Sequence, residues 1–166
     1  MKRRVPARAF DAMSELPALW AAWRRARKGK RRSLPAATFE IDAERHLVGL
    51  RRALQTGRYR PRPYQVRIIR DPKVRAIVLA DFSDRVVHQA LHHEVAPWFE
   101  RSYIDHSYAC RPGRGTHRAA LRYLAMSRKH RYRLTLDVRR YFLSISHDRL
   151  LALIFARIEE PRLRRL

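Results

Sequence analysis

The sequence predicts an α+β fold. Apolar residues recur at helical spacing through most of its 166 residues, and two short β-branched runs flank a turn near the middle. The segregated order of helices, hairpin, helices, strand and helix, with no internal repeat, points the same way. A hydrophobic fraction of 46% supplies a core for a chain of this length.

From Ala7 to Lys28, Phe10, Met13, Leu16, Leu19, Trp20 and Trp23 keep helical spacing. Pro17 lies inside this run, where a proline kinks or splits a helix. A second helix is expected from Thr38 to Gly57, with Phe39, Leu47, Leu50 and Leu54 as its stripe and Gly57 as its C-cap. Arg60-Pro61-Arg62-Pro63 reads as extended, because each proline disfavours helix before it. Gln65–Arg70 and Arg75–Leu79 read as strands around the turn Asp71-Pro72-Lys73, a hairpin with a basic tip. Phe82–Val95 reads as a helix carrying Val86, Val87, Ala90 and Leu91, and Pro97 marks a segment boundary. A glycine-containing loop, Arg111 to Thr116, precedes a helix to about Arg128. Tyr132–Val138 alternates as a strand with Asp137 near its end, and His147–Ile158 reads as a last helix.

Charge is the strongest compositional signal. Lys and Arg total 38 against 15 Asp and Glu, a formal net charge of +23. Such a surplus attracts polyanions, and nucleic acid is the partner whose condensed counterions reward each phosphate contact. Of the 38 basic residues 33 are arginine, whose planar fork suits phosphate and base stacking. Seven of the nine residues Arg24–Arg32 are basic, readable as a phosphate-contacting patch or as a solvated helix end. The single Cys110 excludes an internal disulfide. The basic start, Met1–Val5, is followed by no apolar segment of a signal peptide, and the longest apolar run, Leu150–Ala156, is too short to span a bilayer. These features predict a soluble cytoplasmic protein with no membrane partner.

Four groups of residues are candidates for chemistry. Asp137 ends an apolar run, where a bare carboxylate is costly. It is expected either to hold a cation or to pair with an arginine. Magnesium needs few protein carboxylates, because substrate phosphates and water supply its other oxygens. Arg70, Lys73 and Arg75 at the hairpin tip can clamp a triphosphate, or keep a sheet edge soluble. Gly113-Arg114-Gly115-Thr116 can present backbone amides to an anion at a helix start, or form a plain turn capped by Thr116. No Gly-Lys-Ser/Thr follows to make it a Walker loop. His88, His92 and His93 share a helix without an H-E-x-x-H pattern, so zinc is not expected, and no G-x-S-x-G elbow occurs.

The order of these features resembles a known family. Tyr59-Arg60-Pro61-Arg62-Pro63-Tyr64, then Asp71-Pro72-Lys73-Val74-Arg75-Ala76-Ile77, then Asp84-Arg85-Val86-Val87-His88-Gln89-Ala90-Leu91 resembles the fingers of bacterial retroelement reverse transcriptases, the group II intron, retron and diversity-generating types. Ser107-Tyr108-Ala109-Cys110-Arg111-Pro112-Gly113-Arg114-Gly115-Thr116-His117 is similar too. Leu136-Asp137-Val138-Arg139-Arg140-Tyr141-Phe142, followed by Ser144-Ile145-Ser146-His147, looks like their first palm motif. The likeness runs from about Thr38 to the end. It implies an N-terminal helical region over 1–58, fingers over 59–130 and the incomplete beginning of a right-hand polymerase palm over 131–166.

The resemblance implies RNA-directed DNA synthesis in the bacterial cytoplasm. Its partners would be an RNA template, an RNA/DNA primer-template and a dNTP. By this likeness Asp137 is the first catalytic aspartate and a ligand of two Mg²⁺ ions, with the carbonyl of Val138 as a backbone ligand. Phe142 matches the steric gate against a 2′-hydroxyl. Arg75 matches the fingers arginine over the triphosphate, with either Arg70 or Lys73 as its partner. Gly113 and Gly115, with Arg111 and Arg114, match the turn near template and primer. Leu143 and Ser146 depart from the family where proline or aspartate is common. The chain contains no Asp-Asp pair, so the Tyr-x-Asp-Asp motif is missing, and no thumb follows. The chain alone is therefore expected to be inactive, with a complementing C-terminal polypeptide as one possible partner. A non-catalytic, maturase-like RNA-binding module and a decayed or split gene remain the alternatives.

Overall fold

The structure is a computed structural model that describes residues 4–70 and 72–166. Residues 1–3 of the basic start, and Asp71 of the hairpin turn, lie outside the described residues. The fold is α+β, with helices and one two-stranded antiparallel sheet among the described residues. Contacts divide the chain into two bodies, residues 4–96 with 158–166 and residues 97–157.

The first body holds the core. Its helices α1 (Ala9–Ser14) and α2 (Leu16–Ala26) divide the helical run expected there, the split that Pro17 allowed. They separate at Glu15, whose ψ of 147° is extended, and Pro17 falls in the first turn of α2. A proline there lacks an N–H that no helical carbonyl would have accepted. Helix α3 (Leu34–Ile41) and helix α4 (Ala43–Gln55) likewise replace one expected helix, starting four residues earlier and breaking at Asp42. Aspartate is a poor helix-interior residue, and Asp42 sits at non-helical φ −131°, ψ 48°. Helix α4 ends as expected at Gly57. Its φ of +68° lets the Gly57 amide reach the Leu54 carbonyl and the Arg58 amide reach Ala53, which closes a Schellman cap.

Strands β1 (Gln65–Arg70) and β2 (Val74–Leu79) form the predicted hairpin, with Arg70 opposite Val74 and Gln65 opposite Leu79. Helix α5 (Phe82–Glu100) follows, and it accommodates Pro97 in its last turn rather than ending before it. Met13, Leu19, Leu47, Leu54, Val86 and Val87 form the centre of the core, with Phe39 against Phe82 at 5.2 Å. Short helix α9 (Pro161–Arg164) belongs to this body. Leu163 is buried, and Arg162 makes a two-pronged ion pair with Asp11 (2.6 and 3.0 Å) while lying 4.4 Å over the Phe10 ring.

The second body contains α6 (Thr116–Ser127), the single turn α7 (Tyr141–Ser144) and α8 (His147–Phe155). The last helix stops three residues short of Ile158, which is buried in the first body. No residue from 97 to 157 is buried. The strand expected over Tyr132–Val138 does not form, and this segment is irregular. A strand needs a neighbour to take its backbone hydrogen bonds. Nothing among the described residues pairs with this one, and Leu134 and Leu136 stand 82% and 81% exposed.

Candidate functional site

The hairpin register sorts its basic residues by face, because side chains alternate along a strand. Arg67 stands opposite Ile77 and Arg75 opposite Ile69, so Arg67 and Arg75 are diagonal neighbours on one face. Arg70, opposite Val74, lies on the other face with Val66, Ile68, Ala76 and Val78. Of the two candidates to accompany Arg75, Arg70 is therefore on the wrong side, while Lys73 lies in the turn between the strands. The sequence reading missed Arg67. Counting alternate positions back across the turn from Arg75 would have found it. None of Arg67, Arg70, Lys73 and Arg75 pairs with a carboxylate among the described residues, although several ion pairs form elsewhere. Unneutralised guanidinium groups side by side make a site for an anion.

A buried carboxylate anchors the segment that leads into this arm. Asp84, in the first turn of α5, accepts a hydrogen bond from the Tyr59 hydroxyl (2.8 Å) on Oδ1 and one from the Arg62 backbone amide (2.8 Å) on Oδ2. The Arg62 side chain adds a longer ion pair to Asp81 at 3.6 Å. Two of the quoted motifs, one around Tyr59 and one around Asp84, are thus bonded to each other. Burial pushes the Tyr59 hydroxyl well above the ordinary phenol value of 10.0, and its hydrogen bond to the Asp84 carboxylate raises it further.

The basic run after α2 is partly neutralised. Arg27 and Arg31 share Glu40 at 2.6 and 2.9 Å, and Arg27 lies 4.1 Å over the Trp23 ring. The hydrogen bond from Arg31 and the charges of both arginines hold the Glu40 carboxyl below its usual range. Arg24, Lys28, Lys30 and Arg32 have no such carboxylate among the described residues.

In the second body, Arg111 turns inward. Its Nε donates to Glu100 (2.6 Å) and its Nη1 to the carbonyls of Ile104 (2.7 Å) and Ser107 (3.0 Å), with the side chain only 8% exposed. It fastens the loop that carries Gly113 and Gly115. Those glycines have φ of +66° and +100°, and Gly115 rather than Thr116 occupies the N-cap of α6. No side chain caps that helix start. Arg114 pairs with the exposed Asp105 at 3.2 Å.

Asp137 and Val138 lie in the irregular segment, exposed to solvent. The buried, arginine-paired aspartate that the sequence left open is not formed, because no strand withdraws the carboxylate from water. Phe142 is on α7, 83% exposed and edge-on to Tyr141 at 5.3 Å. Arg140, at the N-cap of α7, adopts left-handed φ 51°, ψ 40°, which costs a non-glycine residue about 1–2 kcal/mol. Ser146, one of the departures from the family pattern, is the N-cap of α8 and accepts from the Arg149 amide at 3.5 Å. Asp137 and the Val138 carbonyl offer two oxygen ligands. Among the described residues no three His, Cys, Asp or Glu side chains gather to share a metal ion, His88, His92 and His93 included. This donor set does not fit two Mg²⁺ ions.

No helix among the described residues is long and apolar enough to cross a membrane. The chain matches no protein-family model and no curated protein.

Proposed function

We propose that this chain is a nucleic-acid-gripping portion of an RNA-directed DNA polymerase, comprising its fingers and the segment that bears its first catalytic aspartate. The observation that carries the reading is the hairpin arm. It presents Arg67 and Arg75 on one face with no carboxylate partner among the described residues, and its root is fixed by the bond between the two motifs at Tyr59 and Asp84. The +23 charge supports an RNA template and an RNA/DNA primer-template as partners. Arg75, with Arg67 or Lys73, is the proposed contact to the triphosphate of a dNTP, and Phe142 the proposed gate beside its sugar.

Catalysis by the complete enzyme would need two metal ions held in fixed geometry. The donor set of the described residues falls short of that. In this reading the missing carboxylate comes from sequence outside these residues, on the same polypeptide or on a complementing one. Purified chain should bind labelled RNA and fail to extend a primer on an RNA template with Mg²⁺ and dNTPs. Four phosphate contacts on a single strand would give a loss of affinity of roughly 50-fold between 50 and 200 mM salt. Affinity that stays flat with salt would remove the nucleic-acid reading. Clear nucleotide incorporation would remove the claim that the carboxylate set is incomplete.

A second reading, a non-catalytic RNA-binding module, is favoured by the solvated, unpaired state of Asp137. Asp137→Ala then leaves RNA affinity unchanged. It also leaves unchanged any synthesis restored by a complementing fragment, whereas the polymerase reading requires that synthesis to vanish.

A further inference from the structure

A cavity of about 360 Å³ opens in the first body between α4, the extended segment before the hairpin and the start of α5. Arg58, Arg60 and Arg62 line it together with His46, Gly49 and Asp84. The Arg62 guanidinium also pairs with Asp81 at 3.6 Å, and the lining sets three arginines against one carboxylate, Asp84. Both oxygens of that carboxylate are already taken, by the Tyr59 hydroxyl and the Arg62 amide. Arg60 is braced by donating to the carbonyls of Tyr59 (2.8 Å) and Gly57 (3.2 Å), which leaves further donors on its fork. Arg58 is exposed and has no carboxylate partner among the described residues.

Arg58 and Arg60 thus remain without a carboxylate partner among the described residues, and two such groups match a phosphate monoester, which carries about −1.5 to −2 at neutral pH, better than a singly charged diester. The space is larger than one phosphate group fills and lies within the roughly 300–1,000 Å³ of small-ligand sites. The His46 ring is held flat by stacking on Phe39 at 4.8 Å. The wall is open at Gly49, where nothing lies within 4 Å of the position a Cβ would take. The geometry points to a site for a nucleoside 5′-monophosphate unit, with its phosphate among Arg58, Arg60 and Arg62 and its nucleoside over Gly49 and His46. The site shares no residue with the hairpin face or the Asp137 segment, so it stands whether or not the polymerase reading does.

The test uses the whole chain and 3′-fluorescein RNA decamers bearing either a 5′-phosphate or a 5′-hydroxyl, read by anisotropy. AMP and inorganic phosphate are titrated separately by calorimetry. The phosphorylated decamer is expected to bind at least fivefold more tightly. That preference should shrink below twofold in Arg58→Ala, which removes charge, and in Gly49→Leu, which fills the cavity without changing charge. It should persist in Arg52→Ala, an exposed arginine outside the lining, and unchanged melting temperatures certify the fold of each variant. AMP binding lost in the same two variants, with no difference between the decamers, assigns the site to a free nucleotide and supports it equally. The proposal is overturned if wild type shows neither effect, if inorganic phosphate binds as tightly as AMP, or if the preference survives both Arg58→Ala and Gly49→Leu.

Discussion

Removing the Asp84 carboxylate tests whether the root of the hairpin is fixed as described. Asp84→Ala strands two donors at once, the Tyr59 hydroxyl and the Arg62 amide, each now 2.8 Å from a carboxylate oxygen. A hydrogen bond to a charged group contributes about 1.5–3 kcal/mol. Arg62 is exposed, so water can recover part of its amide's loss. The expected destabilisation is therefore about 3 kcal/mol for Asp84→Ala. Tyr59→Phe removes only the phenol donor and should cost about 1.5 kcal/mol. Urea denaturation followed by far-UV circular dichroism measures both. In a cooperative unit of about 100 residues, each 1 kcal/mol also lowers Tm by roughly 4–8 °C. The two substitutions share a bond, so the double variant should be no worse than Asp84→Ala alone. The reasoning fails if Asp84→Ala stays within about 0.5 kcal/mol of wild type, the range of an ordinary surface change. It fails equally if Tyr59→Phe and Asp84→Ala add in full.

The same hydroxyl predicts an alkaline limit. Its folded pKa is raised above the unfolded 10.0, so the stability linked to its protonated form is intact below pH 10 and is lost as pH climbs beyond it. Denaturation midpoints measured from pH 9 to 11.5 should fall less steeply in Tyr59→Phe than in wild type, and parallel curves would contradict this. Gly115→Ala forces a side chain into φ +100°, a strain of about 1–3 kcal/mol with no steric clash to add to it; wild-type thermal stability and RNA affinity would count against the observed turn. On the hairpin, a double-mutant cycle on RNA affinity should show coupling of at least about 0.5 kcal/mol between Arg67 and Arg75, while Arg70 and Arg75 add independently. Stronger coupling of Arg70 to Arg75 would mean that the register does not govern the contact.

What was legible in the sequence follows from how local each feature is. The hairpin was legible because β-branched runs and an Asp-Pro turn act within a dozen residues. The split at Pro17 was legible because proline chemistry is intrinsic, whereas the break at Asp42 carried only a weak propensity signal. Tyr132–Val138 has a strand's alternation, but a strand exists only with a partner, and no local pattern reports whether one is present. The resemblance places Arg111 in the turn near template and primer, but a motif cannot distinguish a guanidinium facing water from one folded onto Glu100 and two carbonyls. The Tyr59–Asp84 bond spans 25 residues. Both residues stood in quoted motifs, yet only the fold shows that they meet.

The distribution of burial bears on which of the two proposed tasks suits this chain by itself. A carboxylate that positions reacting groups must be held within about 0.5 Å, by neighbours whose own rotamers are locked by packing. Asp137 has no such neighbours. It is solvated, in an irregular segment of a body in which no apolar residue is buried, next to Leu134, Leu136 and Phe142 standing open to water. Gripping a polyanion asks for less, since phosphate contacts tolerate long, mobile arginines and gain from every released counterion. The arginines best placed for that, on the hairpin and around the cavity beneath Asp84, sit on the body with the dense core. Under the proposed reading, binding is the task these residues can carry unaided, and catalysis at Asp137 would require a partner strand that withdraws Leu134 and Leu136 from water and fixes the neighbouring carboxylate.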